Sequence, residues 1–178
     1  MTNKPTSNKN TDKLYYVKCF FVYAVLGYFF ESAVSLLWGH EFDSGIFYGP
    51  ITPIYGIGIV MVIMIHKYIS KFNFKKWKEV LILFLCFFIG ITILEQLGGM
   101  LIEFLFDKVF WNYSRFRFNW GPYIALEIST AWGLLSLGIV YFLKPLVDKL
   151  IKIIPKFIVY ILIVLFIINI VFTFIKLL

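Results

Sequence analysis

Four glutamates lie in long apolar stretches of the chain, where a carboxylate is unusual. Glu31, Glu95 and Glu127 lie well inside such stretches, and Glu103 lies near the end of one. A charge at the centre of a bilayer costs roughly 2.5 to 3.5 kcal/mol on insertion scales, so each needs a partner, a proton or a watery cavity. Carboxylates in this setting could bind a cationic group or carry protons, and they are candidate functional residues by default.

The two arginines of the chain lie in the segment 107–121, DKVFWNYSRFRFNWG. From Arg115 to Trp120, basic or polar residues alternate with aromatic ones, which places Arg115, Arg117 and Asn119 on one side. This alternation predicts an extended or re-entrant strip with the aromatic rings toward lipid and the arginines inward. The arginines could hold a carboxylate or phosphate, or form a structural ion pair with a glutamate, and both interpretations stay open.

A third unusual segment is 45–58, which contains four glycines and two prolines at the start of an apolar stretch. Such a segment is not a regular helix throughout. Irregular backbone at membrane depth is tolerated only where it is buried in protein or lines a cavity. Tyr55, within this segment, therefore joins the candidate ligand-binding residues.

Composition defines the elements that must position these side chains. The 178 residues are 61% hydrophobic and only 15% charged, against about 45 to 50% and about 25% in soluble domains. This excludes a soluble globular domain and predicts an all-α integral membrane protein. Since about 20 helical residues cross the hydrocarbon core, we expect five transmembrane helices, near 14–38, 51–67, 79–106, 122–143 and 156–177, with irregular or re-entrant outer segments.

The lysines predict the orientation of this bundle. Thirteen of the 17 basic residues fall in three clusters, within 1–18, 66–78 and 144–156. These clusters fall on alternate connections, which is the positive-inside pattern of an N-in, C-out protein. The pattern explains the net charge of +7 without a nucleic-acid partner. Residues 1–12 are predicted to be a disordered cytoplasmic tail, and 13–178 a single transmembrane domain.

Helical geometry then predicts where the glutamates lie. At about 1.5 Å per residue, Glu31, Glu95 and Glu127 all fall in the outer half of the membrane. Gly27 lies four residues before Glu31, and Gly99 lies four residues from both Glu95 and Glu103. On each of the two helices a small residue therefore lies on the same face as a carboxylate, one turn away. The fourth helix carries a second stripe of small and polar residues on another side, so the face that Glu127 shares stays open.

These motifs resemble those of the putative ABC-transporter type IV family, also called the putative ABC transporter permease family, of bacterial membrane proteins. The resemblance covers about residues 20–140 and rests on Gly27, Glu31, GPITPIYGIG at 49–58, Glu95, Glu103, WNYSRFRFN at 111–119, and Ser129, Trp132 and Gly133. It implies a transport permease in the bacterial cytoplasmic membrane. The chain contains no P-loop, so any ATPase would be a separate subunit.

The leading hypothesis is therefore a multi-pass membrane transport component with an outward-facing polar cavity for a small polar or ionic ligand. The candidate ligand-binding residues are Glu31, Tyr55, Glu95, Glu103, Arg115, Arg117, Asn119 and Glu127. A membrane enzyme acting on lipid or cell-wall precursors is the alternative, but the sequence offers no nucleophile–base constellation or metal-ligand cluster for it. A non-catalytic partner or sensor subunit is the third hypothesis. We expect no cofactor, and the bilayer itself or another membrane subunit as partner.

Overall fold

The computed structural model describes residues 14–38, 47–109 and 111–177. Its helices are α1 (Tyr15–Trp38), α2 (Pro53–Ile69), which continues into a 3-10 turn (Ser70–Phe72), α3 (Lys76–Phe106), α4 (Leu126–Gly138), α5 (Lys144–Ile153) and α6 (Lys156–Leu177). Five helical segments are long and apolar enough to cross a bilayer, with α4 and α5 forming one continuous segment. The predicted all-α membrane architecture is confirmed. The predicted tail at 1–12 lies outside the described residues.

Helix ends follow local backbone chemistry. The second helix begins at Pro53 rather than at residue 51, because proline has no N–H to leave unpaired in the first turn. The third helix ends at Phe106. The next residue, Asp107, has a left-handed φ of 50°, which terminates the helix, and its N–H donates to the carbonyl of Glu103. In the segment that follows, the described residues include two short antiparallel strands, β1 (Asn119–Trp120) and β2 (Ile124–Ala125).

The fourth membrane segment differs most from the prediction of 122–143. It begins only at Leu126, because the hairpin turn and β2 occupy 121–125, with Gly121 at a φ of +69°. It continues to Ile153 because a π-helical turn (Ile139–Leu143) precedes Pro145. In this turn the Lys144 N–H donates to the carbonyl of Ile139, five residues earlier. A proline inside a regular helix clashes with the preceding turn, and the π-turn lets the helix pass this position.

Buried apolar residues join the helices in two clusters. One contains Cys19, Tyr23, Ile59, Ile63, Val147 and Ile151. The other contains Val62, Leu83, Phe87, Ile91 and Val140. Much of the remaining helix surface exposes large apolar side chains, as expected of residues that face lipid tails rather than water. Both cysteines, Cys19 and Cys86, are free.

We call the end of the bundle with the connections 70–75 and 154–155 the inner end, and the end with 47–52 and 107–125 the outer end, following the orientation that the lysines predict. At the inner end, the Tyr15 hydroxyl donates to Asp148 Oδ1 at 2.8 Å, and Lys144 pairs with Asp148 Oδ2 at 2.5 Å. His66 lies in α2, with its Nε2 3.8 Å from the Glu79 carboxylate. The ion pairs found within the described ranges all lie at this end.

At the outer end, one side chain ties α6 to the connection before α2. The Asn169 side chain accepts from the Tyr48 backbone N–H at 3.1 Å and donates to the Tyr48 carbonyl at 2.7 Å. Lower on the same helix, Phe166 packs its ring against those of Phe20 and Phe21. These contacts attach α6 to α1 and to the outer connection.

Candidate functional site

Glu31 lies on α1 beside a tyrosine from α2. The Tyr55 ring lies directly over Gly27, where an added Cβ would be 2.3 Å from Tyr55 Cγ. This close approach places the Tyr55 hydroxyl beside the Glu31 carboxylate. Gly27, one turn before Glu31, therefore makes room for the Tyr55 side chain of α2.

Glu95 is the most enclosed of the four glutamates, with 6% of its side-chain and backbone surface exposed. Its Oε1 accepts two hydrogen bonds, from the Tyr113 hydroxyl at 3.0 Å and from Trp132 Nε1 at 2.9 Å. Its Oε2 is buried and has no hydrogen-bond partner within the described part of the chain. A buried carboxylate oxygen without a hydrogen-bond partner is energetically costly. A donor group of a ligand, or protonation of the carboxylate, would remove this cost.

Aromatic rings connect the two carboxylates. Tyr55 and Trp132 have ring centroids 5.6 Å apart, and Phe30 lies 6.2 Å from Tyr55 and 6.3 Å from Trp132. The five residues Glu31, Tyr55, Glu95, Tyr113 and Trp132, with Phe30 beside them, form what we call the outer carboxylate cluster. It draws on α1, α2, α3, α4 and the connection 107–125.

The Tyr113 hydroxyl acts as a hydrogen-bond donor in this cluster. Burial raises the pKa of Tyr113 above its ordinary value, and the negative charge of Glu95 and its hydrogen bond raise the pKa further. The phenol therefore keeps its proton throughout the physiological range. Because Tyr113 belongs to the outer connection, this hydrogen bond also attaches that connection to the membrane interior.

Glu103 lies outside the cluster, although the sequence placed it on the same stripe as Glu95. Eight residues separate the two, or about 12 Å along the helix. Glu103 is exposed, and its Oε2 accepts from the Tyr123 hydroxyl at 2.7 Å. This hydrogen bond raises the pKa of Tyr123 to about 12. The Tyr123 ring packs on Gly99, where an added Cβ would lie 2.3 Å from a ring carbon.

Glu127 has a backbone partner. Its Oε1 accepts from the Phe118 N–H at 3.2 Å, and its Oε2 is buried without a hydrogen-bond partner in the described ranges. The Leu126 N–H also donates to the Phe118 carbonyl, at 2.9 Å. Glu127 thus attaches the turn at 117–118 to the start of α4.

The predicted strip of inward-facing arginines is not what the structure shows. Residues 114–118 form turns, and only 119–120 is extended. Arg115 and Arg117 are exposed and lie over the rings of Phe116 and Phe118, with 5.6 and 5.3 Å from guanidinium carbon to ring centroid. The Asn119 amide is also exposed and donates to the carbonyls of Ser114 and Phe116, which closes the turn. Side-chain bonding of this kind favours turns over extended backbone.

Three residues of the cluster were not among the sequence candidates: Phe30, Tyr113 and Trp132. Trp132 belongs to the second stripe of small and polar residues on the fourth helix. The sequence indicated this stripe, but it did not determine which face of the helix points toward the site. Tyr113 carried no periodic signal, because it lies in an irregular connection where sequence spacing does not define a face. Its contact with Glu95 depends on the tertiary path of the connection.

Comparison with known proteins identifies one family. The sequence model of the family described as Putative ABC-transporter type IV matches residues 18–176, which is most of the chain. No curated protein matches the chain, and no solved structure matches it.

Proposed function

The chain belongs to the Putative ABC-transporter type IV family of proteins, and from this membership we propose that it is a membrane transport component whose outer carboxylate cluster binds a small polar or ionic ligand. The five apolar membrane segments support a multi-pass membrane protein. The same membership supports a separate ATPase or membrane subunit as partner, because the chain has no P-loop of its own.

The observation that carries the proposal is the unpaired Oε2 of Glu95. This atom is buried inside a membrane protein, beside a second carboxylate and two aromatic side chains that donate hydrogen bonds to Glu95. Glu127 also has a buried Oε2 without a partner in the described ranges, but Glu95 is more enclosed, and the membrane interior offers no water to satisfy it. A ligand donor at this position would complete the hydrogen bonding of Glu95.

Arg115 and Arg117 enter this proposal only as residues of the outer surface. Their contacts with Phe116 and Phe118 place them on the outer connection, where they could attract an anionic part of a ligand before it binds. Asn119, Glu103 and Glu127 support the shape of the same surface through their hydrogen bonds. The binding step itself is proposed for Glu31 and Glu95.

A stability screen tests this function. We expect a true ligand to raise the melting temperature of the purified protein in detergent, since binding to the folded state stabilises it by RT ln(1 + [L]/Kd). Amines, amino acids, inorganic cations, phosphates and lipid head groups should be compared. In the double variant Glu31→Gln/Glu95→Gln, the shift caused by any such ligand should disappear.

Glu103→Gln is the matched control. It neutralises a carboxylate on the same helix, and glutamine can still accept the Tyr123 hydrogen bond, so the ligand shift should stay as in wild type. If a ligand shifts wild type and the double variant equally, the cluster is not its binding site. If nothing shifts wild type and the double variant loses its fold, the carboxylates are structural.

A further inference from the structure

An apolar groove lies on the outside of the bundle, between α1, α2 and α6. Its volume is about 450 Å³, and its lining is almost wholly apolar, with Val60 from α2, Ile163 from α6 and Tyr16 at the inner end of α1. Because these helices cross the membrane, the groove opens toward acyl chains rather than water. We propose that it binds a phospholipid with an anionic head group, with an acyl chain in the groove and the phosphate at Lys67. The described lining shares no residue with the outer carboxylate cluster, so this site is separate from the one proposed above.

Lys67 stands where the groove reaches the inner end. Its Nζ donates to the Tyr16 hydroxyl at 3.3 Å and lies 5.7 Å from the centroid of the Tyr16 ring. Since Tyr16 lines the groove, this contact places the ammonium group beside its inner end. Lys67 is exposed and the hydroxyl of Tyr16 is neutral, so the positive charge of Lys67 is available to a phosphate.

A second lysine follows from the helical face that α6 turns to the groove. On α2, Lys67 lies seven residues beyond Val60, and on α6, Lys156 lies seven residues before Ile163. Seven residues are two helical turns, so each lysine shares a face with its lining residue and lies about 10 Å nearer the inner end. Two exposed lysines from different helices therefore stand beyond the same end of one groove.

Charge balance favours an anionic head group. Within the described ranges, the acidic residues of the inner end are Glu79 and Asp148, and each already pairs with a lysine. Lys67 and Lys156 take part in none of the ion pairs of those ranges. Lysines immediately beside membrane helices attract anionic lipids, and basic pockets between helices bind their head groups.

The same charge disfavours a second copy of this chain as the occupant of the groove. Two copies in one membrane have their inner ends on the same side, so a copy seated in the groove would bring further lysines to Lys67 and Lys156 rather than compensate them. A phospholipid supplies both an apolar chain for the groove and a negative charge for its inner end.

Lipids that share acyl chains and differ in head group make a direct test. The full-length protein in detergent should be titrated with dioleoyl phosphatidylglycerol, dioleoyl phosphatidylcholine and dioleoylglycerol, and bound lipid measured by native mass spectrometry. We expect phosphatidylglycerol, which is anionic, to bind most tightly and dioleoylglycerol, which has no phosphate, to bind most weakly. Glycerol 3-phosphate, which has no acyl chain, should not displace phosphatidylglycerol at equal concentration, because a lipid and not free phosphate is the ligand.

Lys67→Gln tests the head-group contact. This variant should weaken the binding of phosphatidylglycerol by about fivefold and leave that of phosphatidylcholine unchanged, since it removes one positive charge beside the phosphate. Lys78→Gln is the matched control, because Lys78 is also exposed at the inner end but belongs to α3, which does not line the groove. It should bind both lipids as wild type does.

Ile57→Trp tests the acyl-chain contact. Ile57 lines the groove and is 49% exposed, so a larger ring there fills the groove without entering the core. We expect it to weaken phosphatidylglycerol and phosphatidylcholine alike, because both use the groove. Ile161→Trp, at an equally exposed position of α6 outside the groove, should bind as wild type does. Equal melting temperatures of the two tryptophan variants confirm that both are folded.

Three results would overturn the inference. If phosphatidylglycerol and phosphatidylcholine bind equally and Lys67→Gln behaves as Lys78→Gln does, the site does not recognise an anionic head group. If Ile57→Trp binds phosphatidylglycerol as Ile161→Trp does, the lipid does not lie in the groove. A dimer that carries no lipid, and that Ile57→Trp alone dissociates, would make the groove an interface between two copies.

Discussion

Gly98 and Gly99 are neighbours on α3 with different surroundings. A Cβ on Gly99 would lie 2.3 Å from the Tyr123 ring, and Tyr123 is buried and hydrogen-bonded, whereas a Cβ on Gly98 would meet its nearest atom at 3.5 Å. We expect Gly99→Ala to lower the free energy of unfolding by about 1 to 3 kcal/mol through overpacking. Gly98→Ala should be close to neutral. Thermal melting of both variants in detergent checks this, and equal effects would contradict it.

At the residue scale, part of the site could be predicted from the sequence. Spacing along a helix placed Glu31 beside Gly27, and Tyr55 was found in the irregular segment, because helical periodicity and glycine content are local properties. The structure brings these residues together. The Tyr123 partner of Glu103 could not be predicted, since Tyr123 reaches it across 20 residues of chain through a turn.

At the scale of elements, the sequence predicted five membrane helices, because the length and hydrophobicity of the apolar stretches determine how many can cross a bilayer. It ended the fourth near residue 143, at the start of a lysine-rich segment with Pro145. The structure continues this helix for another ten residues, with Val147 and Ile151 buried against α1 and α2. A π-turn is a local adjustment of the helix, and neither the amino-acid composition nor the hydrophobic periodicity of the sequence predicts it.

The contact between α1 and α5 can be tested at Tyr15. Its hydroxyl donates to Asp148, which also pairs with Lys144, so removing the donor leaves a partly buried carboxylate with one partner fewer. We expect Tyr15→Phe to cost about 1 to 3 kcal/mol of unfolding free energy. Thermal melting in detergent measures this cost.

Tyr160→Phe provides the comparison, because Tyr160 is 58% exposed on α6 and should lose nothing measurable. A melting temperature of Tyr15→Phe equal to that of Tyr160→Phe would show that α5 does not depend on this hydrogen bond.

For the whole molecule, the distribution of lysines predicts which end faces the cytoplasm. We expect a membrane-impermeant maleimide to label Arg117→Cys in intact cells, and Lys71→Cys only after the membrane is opened. Both positions are exposed, and the native cysteines should first be replaced by alanine. The opposite labelling pattern would reverse the orientation and place the outer carboxylate cluster on the cytoplasmic side.

The attachment of α6 by Asn169 has a mechanical consequence. A single amide side chain makes two hydrogen bonds with the Tyr48 backbone, as a neighbouring strand would, at an exposed position of the outer end. Lateral separation of α6 from the outer connection must break both bonds together, because they share one side chain. A single substitution of Asn169 would therefore remove both hydrogen bonds at once and leave this part of α6 with only its ring and cation–π contacts to Tyr48.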